Sequence, residues 1–133
     1  MKSIRNSKDV VLVKDDIYIR KIKLPTLSID LNYDNFLLRE WYCGYVFIPL
    51  LKIKDEFKDL DYQDKLLNNI NVHGGITFLE TEENGIIYGF DCNHYNDKKD
   101  GIFSDINNVI NECQYFKKEL YSKLTNEKEK DNV

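Results

Sequence analysis

The sequence predicts a single α+β domain with a mainly antiparallel sheet of about five strands and a C-terminal amphipathic helix packed on one face. Three observations predict this fold. Residues 41–48 are apolar and end at Pro49, Asn84-Gly85 separates two β-rich runs, and apolar residues recur at helical spacing after Ser104. A sheet and a helix that each carry an apolar face bury those faces against each other in one domain.

Length and composition agree with this class. The chain has 133 residues, of which 42% are hydrophobic and 13% aromatic, so it can bury a core of its own. We expect one domain at 1–125 and a charged, disordered tail at 126–133. No apolar run approaches the roughly 18 residues of a membrane span, and the N-terminal residues lack the apolar stretch of a signal peptide. We therefore expect a protein of the host-cell cytoplasm that does not contact membranes.

The charge pattern disfavours direct nucleic-acid binding. The 19 Lys and Arg residues and 23 Asp and Glu residues give a net charge of −4, with both signs interspersed along the chain. Phosphate backbones are bound by clustered positive charge, which this pattern lacks.

The first half of the chain predicts a hairpin and then a central strand. Two β-rich runs, 10–13 and 17–23, flank a short polar turn and predict the opening hairpin. The run 41–48 is apolar at both alternating positions, as expected of a strand that is covered on both sides. Residues 55–68 have weak helical spacing and predict a marginal helix or an ordered loop.

The second half predicts further strands and the closing helix. Residues 70–73, 76–81 and 86–93 are interpreted as strands, and Asn84-Gly85 as a type I′ turn, which requires positive φ at both residues. Ser104 is the predicted N-cap of the last helix. The apolar positions of that helix recur every three or four residues: Ile106, Val109, Ile110, Cys113, Phe116, Leu120 and Leu124.

The predicted hairpin register suggests where the two histidines lie. With Asn84-Gly85 as the loop, Thr77 pairs with Cys92 and Gly75 with His94. His73 is then diagonal to His94 on the same face, at about 7–8 Å. The register places Asp91 on the opposite face, unless the strand bends. Asp97 follows the strand end and could turn towards the histidines, and Cys92 shares their face.

Several chemistries are compatible with this arrangement. Catalytic zinc takes three protein ligands and a water, so His73, His94 and either Asp97 or Cys92 would suffice. The spacing matches no tight metal motif, and histidines that only satisfy hydrogen bonds at a sheet edge are the simpler alternative, so we expect no cofactor. His73-Gly74-Gly75 could also present backbone N–H groups to an anion.

Other reactive side chains are expected to be structural. Cys43, Cys92 and Cys113 lie in apolar segments and are expected to be buried, reduced core thiols. Glu112, beside Cys113 in the last helix, is expected to face solvent.

Three segments in this order resemble a loose family of small proteins encoded by phages and prophages: Cys43-Gly44-Tyr45-Val46, Val72-His73-Gly74-Gly75-Ile76-Thr77-Phe78 and Gly89-Phe90-Asp91-Cys92-Asn93-His94. The helix containing Asn111-Glu112-Cys113 matches the family's closing helix, whereas residues 50–71 depart from its usual loop. The resemblance implies an accessory phage protein and no particular reaction. Together with the register argument it predicts a ligand-binding site at His73, Gly74, Gly75, Asp91, Cys92, His94 and Asp97.

We therefore expect a binding protein that inhibits a host defence system. It would block an effector such as a CRISPR nuclease, or sequester a signalling nucleotide. The alternative is a metal-dependent hydrolase that uses His73 and His94, with Asp91 or Asp97 as ligand or general base. A structural role in a virion and a homodimer also stay open.

Overall fold

A computed structural model describes residues 3–24 and 39–126 and confirms the predicted α+β fold. Its centre is a five-stranded antiparallel sheet with the order β1-β2-β3-β5-β4. The strands are β1 (Val10–Lys14), β2 (Ile17–Lys23), β3 (Glu40–Pro49), β4 (Phe78–Glu82) and β5 (Gly85–Asp91). The predicted central strand is confirmed, since β3 lies in the middle of the sheet and its residues from Cys43 to Ile48 are buried.

Within the described residues, three α-helices accompany the sheet: α1 (Asp64–Leu67), α2 (Tyr95–Asp100) and α3 (Ile106–Leu124). The long helix α3 packs across β2 and β3, and its buried residues include Val109, Cys113, Phe116, Leu120 and Leu124, as the spacing predicts. Ile106 and Ile110 are partly buried at its edge. Residues 55–68, predicted to be a marginal helix or a loop, form short 3₁₀ turns and the single turn of α1.

The sheet is apolar on both faces. The face under α3 forms the main core: Ile17, Ile19, Val46, Ile48, Ile86, Tyr88, Phe90 and Cys92. The other face carries a second cluster of Cys43, Tyr45, Phe47 and Ile87, against which Trp41 and Phe78 pack. Alternation of side chains along each strand separates these two clusters.

The type I′ geometry occurs in the opening hairpin, at Asp15 and Asp16. Their φ angles are +51° and +65°, and Lys14 pairs directly with Ile17. Positive φ at both central residues matches the twist of the flanking strands, so the predicted opening hairpin is confirmed.

The second hairpin forms, but its predicted register is wrong. Glu82 pairs with Gly85, so Glu83 and Asn84 are the loop residues, and neither has positive φ. The ladder is displaced by two residues, which leaves every side chain on its predicted face because strands alternate with a period of two. Gly85 has another reason to be glycine: a Cβ there would lie 2.5 Å from the Phe47 ring and overlap the Ile48 carbonyl oxygen.

Two further predictions need correction. Residues 70–73 do not form a strand; Ile70 and Val72 are buried, and the chain then turns at His73 and Gly74. The N-cap of α3 is Asp105 rather than Ser104, and its carboxylate accepts the Asn107 N–H at 2.9 Å. A carboxylate at this position also interacts favourably with the helix dipole.

The tail from residue 127 onwards and the segment 25–38 lie outside the described residues. Within the part of the chain that is described, no helix combines the length and apolar character needed to cross a membrane.

Candidate metal centre

His73 and His94 lie side by side where β5 ends and α2 begins. His73 occupies the turn that leads towards β4, and His94 is the N-cap residue of α2. Their ring centroids are 5.5 Å apart, with an interplanar angle of 76°.

The two histidines do not meet by the predicted route. The β4–β5 ladder ends at the pair Phe78 and Gly89, and the predicted pairing of Thr77 with Cys92 does not form. The Thr77 N–H instead donates to the Gly89 carbonyl at 2.9 Å. The turn at His73 and the entry to α2 therefore bring the rings together.

The Asp97 side chain contacts both histidines. Its side chain is 2% exposed, and its Oδ1 lies 2.7 Å from His73 Nε2. Its Oδ2 accepts the backbone N–H of His94 at 2.7 Å, a bond that also caps the first turn of α2. One buried carboxylate thus fixes the ring of one histidine and the backbone of the other.

Asp91 contacts His94 because the strand bends, which is the condition under which the predicted register allowed it to join the histidines. Asp91 pairs with Cys43 at the last position of β5, and the chain bends immediately after it. Both its backbone carbonyl oxygen, at 3.0 Å, and its Oδ1, at 3.1 Å, contact His94 Nε2. Oδ1 also accepts the Asn93 N–H at 3.1 Å.

Gly74 and Gly75 lie in a tight turn, in the segment predicted to present N–H groups to an anion. Their φ angles are +70° and +81°, and the Gly75 N–H donates to the Val72 carbonyl at 2.9 Å. The His73 N–H donates to Glu112, so two N–H groups of the segment already have partners. Gly74 lies directly against the His94 ring, where a Cβ would overlap Nε2.

Sequence reasoning missed two residues that hold His73. Glu112 Oε2 accepts the His73 backbone N–H at 2.7 Å, so the prediction that Glu112 faces solvent is wrong. Phe103 stacks on the imidazole, with 4.0 Å between ring centroids and an interplanar angle of 34°. Glu112 lies three residues after Val109 and four before Phe116, and this helical spacing could have indicated its inward position.

The cysteines are core residues, as predicted. Cys43, Cys92 and Cys113 are buried and free. Burial raises the pKa of the Cys92 thiol, and the nearby Asp97 carboxylate raises it further. Burial likewise raises the pKa of Cys113 to about 12. A cysteine binds a metal ion as the thiolate. Because the pKa of Cys92 is raised, this residue is poorly suited to the ligand role that its position suggested.

His73, His94 and Asp97 together have the composition of a metal site. Each offers a ligand atom that lies within 4.8 Å of the ligand atoms of the other two. Tetrahedral zinc bonds of about 2.0–2.2 Å place neighbouring ligands roughly 3.4 Å apart, so these side chains would have to move to bind such an ion together. The histidine side chains are 23% and 35% exposed, which leaves access from solvent.

Comparisons of the chain with protein-family models, with curated proteins and with solved structures find no match in any of the three. The resemblance to phage proteins therefore stays an expectation, and the geometry of the site is the basis for a functional proposal.

Proposed function

We propose that the protein is a metal-dependent hydrolase in which His73, His94 and Asp97 hold a divalent transition-metal ion. The observation that carries the proposal is the mutual proximity of their ligand atoms, all within 4.8 Å. Two imidazoles and a carboxylate suit zinc, and the same number of protein ligands is typical of catalytic zinc sites.

The charges around the site favour a cation. Asp97 is a buried carboxylate, and burying a charge is unfavourable unless it is paired. Asp91 contacts His94 and Glu112 contacts the backbone of His73, so two more carboxylates lie at the histidines. A divalent cation would offset this negative charge, whereas an anionic ligand would be repelled by it.

The exposure of the site is consistent with catalysis. Both histidine side chains are partly exposed while Asp97 is buried, so an ion held by these three residues would remain accessible to solvent and substrate. A zinc ion supplies a hydroxide nucleophile at neutral pH by lowering the pKa of its bound water to about 7. Phe103 and Glu112 hold the His73 ring and backbone, which keeps the ligand set in one arrangement.

Metal binding is tested first, on protein purified without chelators. Native mass spectrometry and calorimetric zinc titration should give one ion per chain for the wild type. His73→Ala and Asp97→Ala should each weaken zinc binding by more than the roughly 10–100-fold that loss of an outer-shell partner costs. Glu56→Gln is the matched control, because Glu56 is an exposed carboxylate outside the site. A wild type that binds zinc no better than His73→Ala contradicts the metal centre.

Hydrolysis is tested on the zinc-loaded protein with p-nitrophenyl acetate and bis(p-nitrophenyl) phosphate. We expect turnover of an ester or phosphodiester that is lost in His94→Ala and unchanged in Glu56→Gln. Stoichiometric zinc without turnover of either probe would rule out the hydrolase activity on these bond types and leave a metal-binding protein.

A second proposal is the phage accessory role, in which the protein inhibits a host defence effector or sequesters a signalling nucleotide. The sequence resemblance supports it, and so does the apolar surface of the edge strand β1, where Val11 and Val13 are 52% and 60% exposed. Exposed apolar residues on an edge strand are suited to contacts with another protein. The test is inhibition of a CRISPR nuclease in a DNA-cleavage assay, which Val11→Asp/Val13→Asp should abolish. Inhibition that survives in this variant would exclude β1 as the binding surface.

A further inference from the structure

We infer that Asp91 is a positioning residue that fixes His94 in the Nε2–H tautomer, so that Nδ1 is the atom that His94 offers to a cation. Cation binding at His94 depends on the proposed function, whereas the tautomer assignment depends only on contacts within the protein.

Two oxygen atoms face His94 Nε2, and both belong to Asp91. The backbone carbonyl oxygen lies at 3.0 Å and Oδ1 at 3.1 Å. A carbonyl oxygen and an ionised carboxylate accept hydrogen bonds and cannot donate them. Nε2 must therefore carry the hydrogen, and in the neutral ring the lone pair resides on Nδ1.

The Nε2 edge of the ring is also closed sterically. A Cβ built on Gly74 would lie 2.6 Å from His94 Cδ2 and 2.8 Å from Cε1, and would overlap Nε2. The Gly74 backbone thus lies against this edge, beside the two Asp91 oxygens. A metal ion has no space at this edge, so it could reach His94 only at Nδ1, in place of the capping-box contact that the His94 side chain makes with the Asp97 backbone N–H.

Two contacts fix the position of Asp91. Its Oδ1 accepts the Asn93 N–H at 3.1 Å, and its backbone is paired with Cys43 in the sheet. Histidine ligands commonly donate their second ring N–H to a carboxylate or a backbone carbonyl, which sets the tautomer and the ring orientation. Asp91 supplies both acceptors from a single residue.

His73 differs from His94 in this respect. Its Nε2 faces the Asp97 carboxylate oxygen Oδ1 at 2.7 Å. A cation could replace the hydrogen between His73 Nε2 and Asp97 Oδ1 and be coordinated by both atoms. The two carboxylates therefore have different roles: Asp97 is a ligand, and Asp91 orients a ligand.

The tautomer is measured directly by ¹H–¹⁵N correlation of the imidazole nitrogens in metal-free, ¹⁵N-labelled protein at pH 8. The chain has two histidines, so a His73→Gln variant assigns the His94 signals. We expect the Nε2–H pattern for His94. The Nδ1–H pattern would overturn the inference.

Zinc titration of two Asp91 variants completes the test. Asp91→Ala removes the carboxylate but keeps the backbone carbonyl acceptor, so His94 should keep the Nε2–H tautomer while its ring is less firmly oriented and zinc binding weakens about tenfold. Asp91→Asn should restore the zinc affinity, because its amide oxygen can still accept the Nε2–H bond. Equal zinc affinity in Asp91→Ala and wild type would refute the positioning role. Failure of the wild type to bind zinc, with the Nε2–H pattern intact, would refute the metal centre alone and leave the tautomer assignment in place.

Discussion

Asp97 Oδ1 lies 2.7 Å from Nε2 of His73, a residue 24 positions earlier in the chain, and the carboxylate is almost completely buried. The same side chain accepts the His94 backbone N–H through Oδ2. This single carboxylate therefore determines the relative position of the turn at His73 and the start of α2, and the first prediction concerns its removal.

Asp97→Ala should lower the free energy of unfolding by about 2–4 kcal/mol, because the His73 ring and the His94 backbone both lose their acceptor inside the protein. Asp97→Asn should lower it by about half as much, since the amide oxygen can still accept one of the two bonds. Urea denaturation of the metal-free protein measures both changes. An Asp97→Ala variant as stable as the wild type would contradict the anchoring role.

Gly74 and Gly75 provide a matched pair of backbone substitutions. Both have positive φ, so alanine at either should cost about 1 kcal/mol of strain. At Gly74 the new Cβ would also overlap the His94 ring, whereas at Gly75 nothing lies within 4 Å. Gly74→Ala should therefore be clearly more destabilising and should displace His94, which its imidazole NMR signals would report. Equal losses in the two variants would show that the ring does not lie against Gly74 in solution.

Asp16→Gly should stabilise the opening hairpin. Asp16 has a φ of +65°, a conformation that glycine adopts without the steric strain of a Cβ. We expect a gain of about 0.5–1 kcal/mol in urea denaturation. Glu83→Gly in the second hairpin is the control, because Glu83 has no positive φ and glycine there adds only chain entropy to the unfolded state. A gain in both hairpins would contradict the assignment of type I′ geometry to the first one alone.

The ion pair of Asp9 and Arg20 should make stability depend on pH. Arg20 donates to both carboxylate oxygens, at 2.7 and 2.9 Å, and these bonds lower the pKa of Asp9 from 3.8 to about 2. Because the folded-state pKa is the lower one, the pair stabilises the fold above pH 3.8, and this contribution is lost as the pH falls towards 2. Its size should be about 1 kcal/mol, since water screens a carboxylate that is one-third exposed.

Urea denaturation of wild type and Asp9→Asn at pH 6 and near pH 2 measures this contribution. The difference between the two proteins should be present at pH 6 and nearly absent at the lower pH. Asp55→Asn is the control, because the Asp55 carboxylate pairs with Lys58 while fully exposed, so we expect no measurable change. A difference that persists unchanged near pH 2 would show that Asp9 acts other than through its charge.

The sequence by itself determined the elements whose pattern is set by burial. Residues 41–48 are apolar at the positions that face either side of the sheet. Only a strand that is covered on both faces buries side chains in this pattern. The apolar spacing of α3 has the period of a helix with one buried face, and its buried residues follow that spacing. Such patterns are local, so they can be recognised without knowing what lies opposite.

The register of the second hairpin was decided by tertiary contacts. Asn84-Gly85 has the local preference of a type I′ turn, but Gly85 lies where the backbone of Ile48 and the ring of Phe47 leave no room for a side chain. Pairing with β3 therefore places Gly85 in the strand and moves the loop to Glu83 and Asn84. A local turn preference is small in comparison with the packing of a whole strand.

The candidate metal centre was also predicted in part from the sequence and decided in part by the tertiary structure. The sequence identified His73, His94 and Asp97 as candidates because the chain has two histidines, which the predicted hairpin register brings to one face, and a carboxylate just beyond the strand end. The contact of Asp91 with His94 depended on the bend after β5, and the contact of Glu112 with His73 depended on the docking of α3, which joins residues far apart in the chain. Side-chain direction at the end of a strand depends on where the chain turns next, so only the tertiary structure decides which carboxylates reach the histidines.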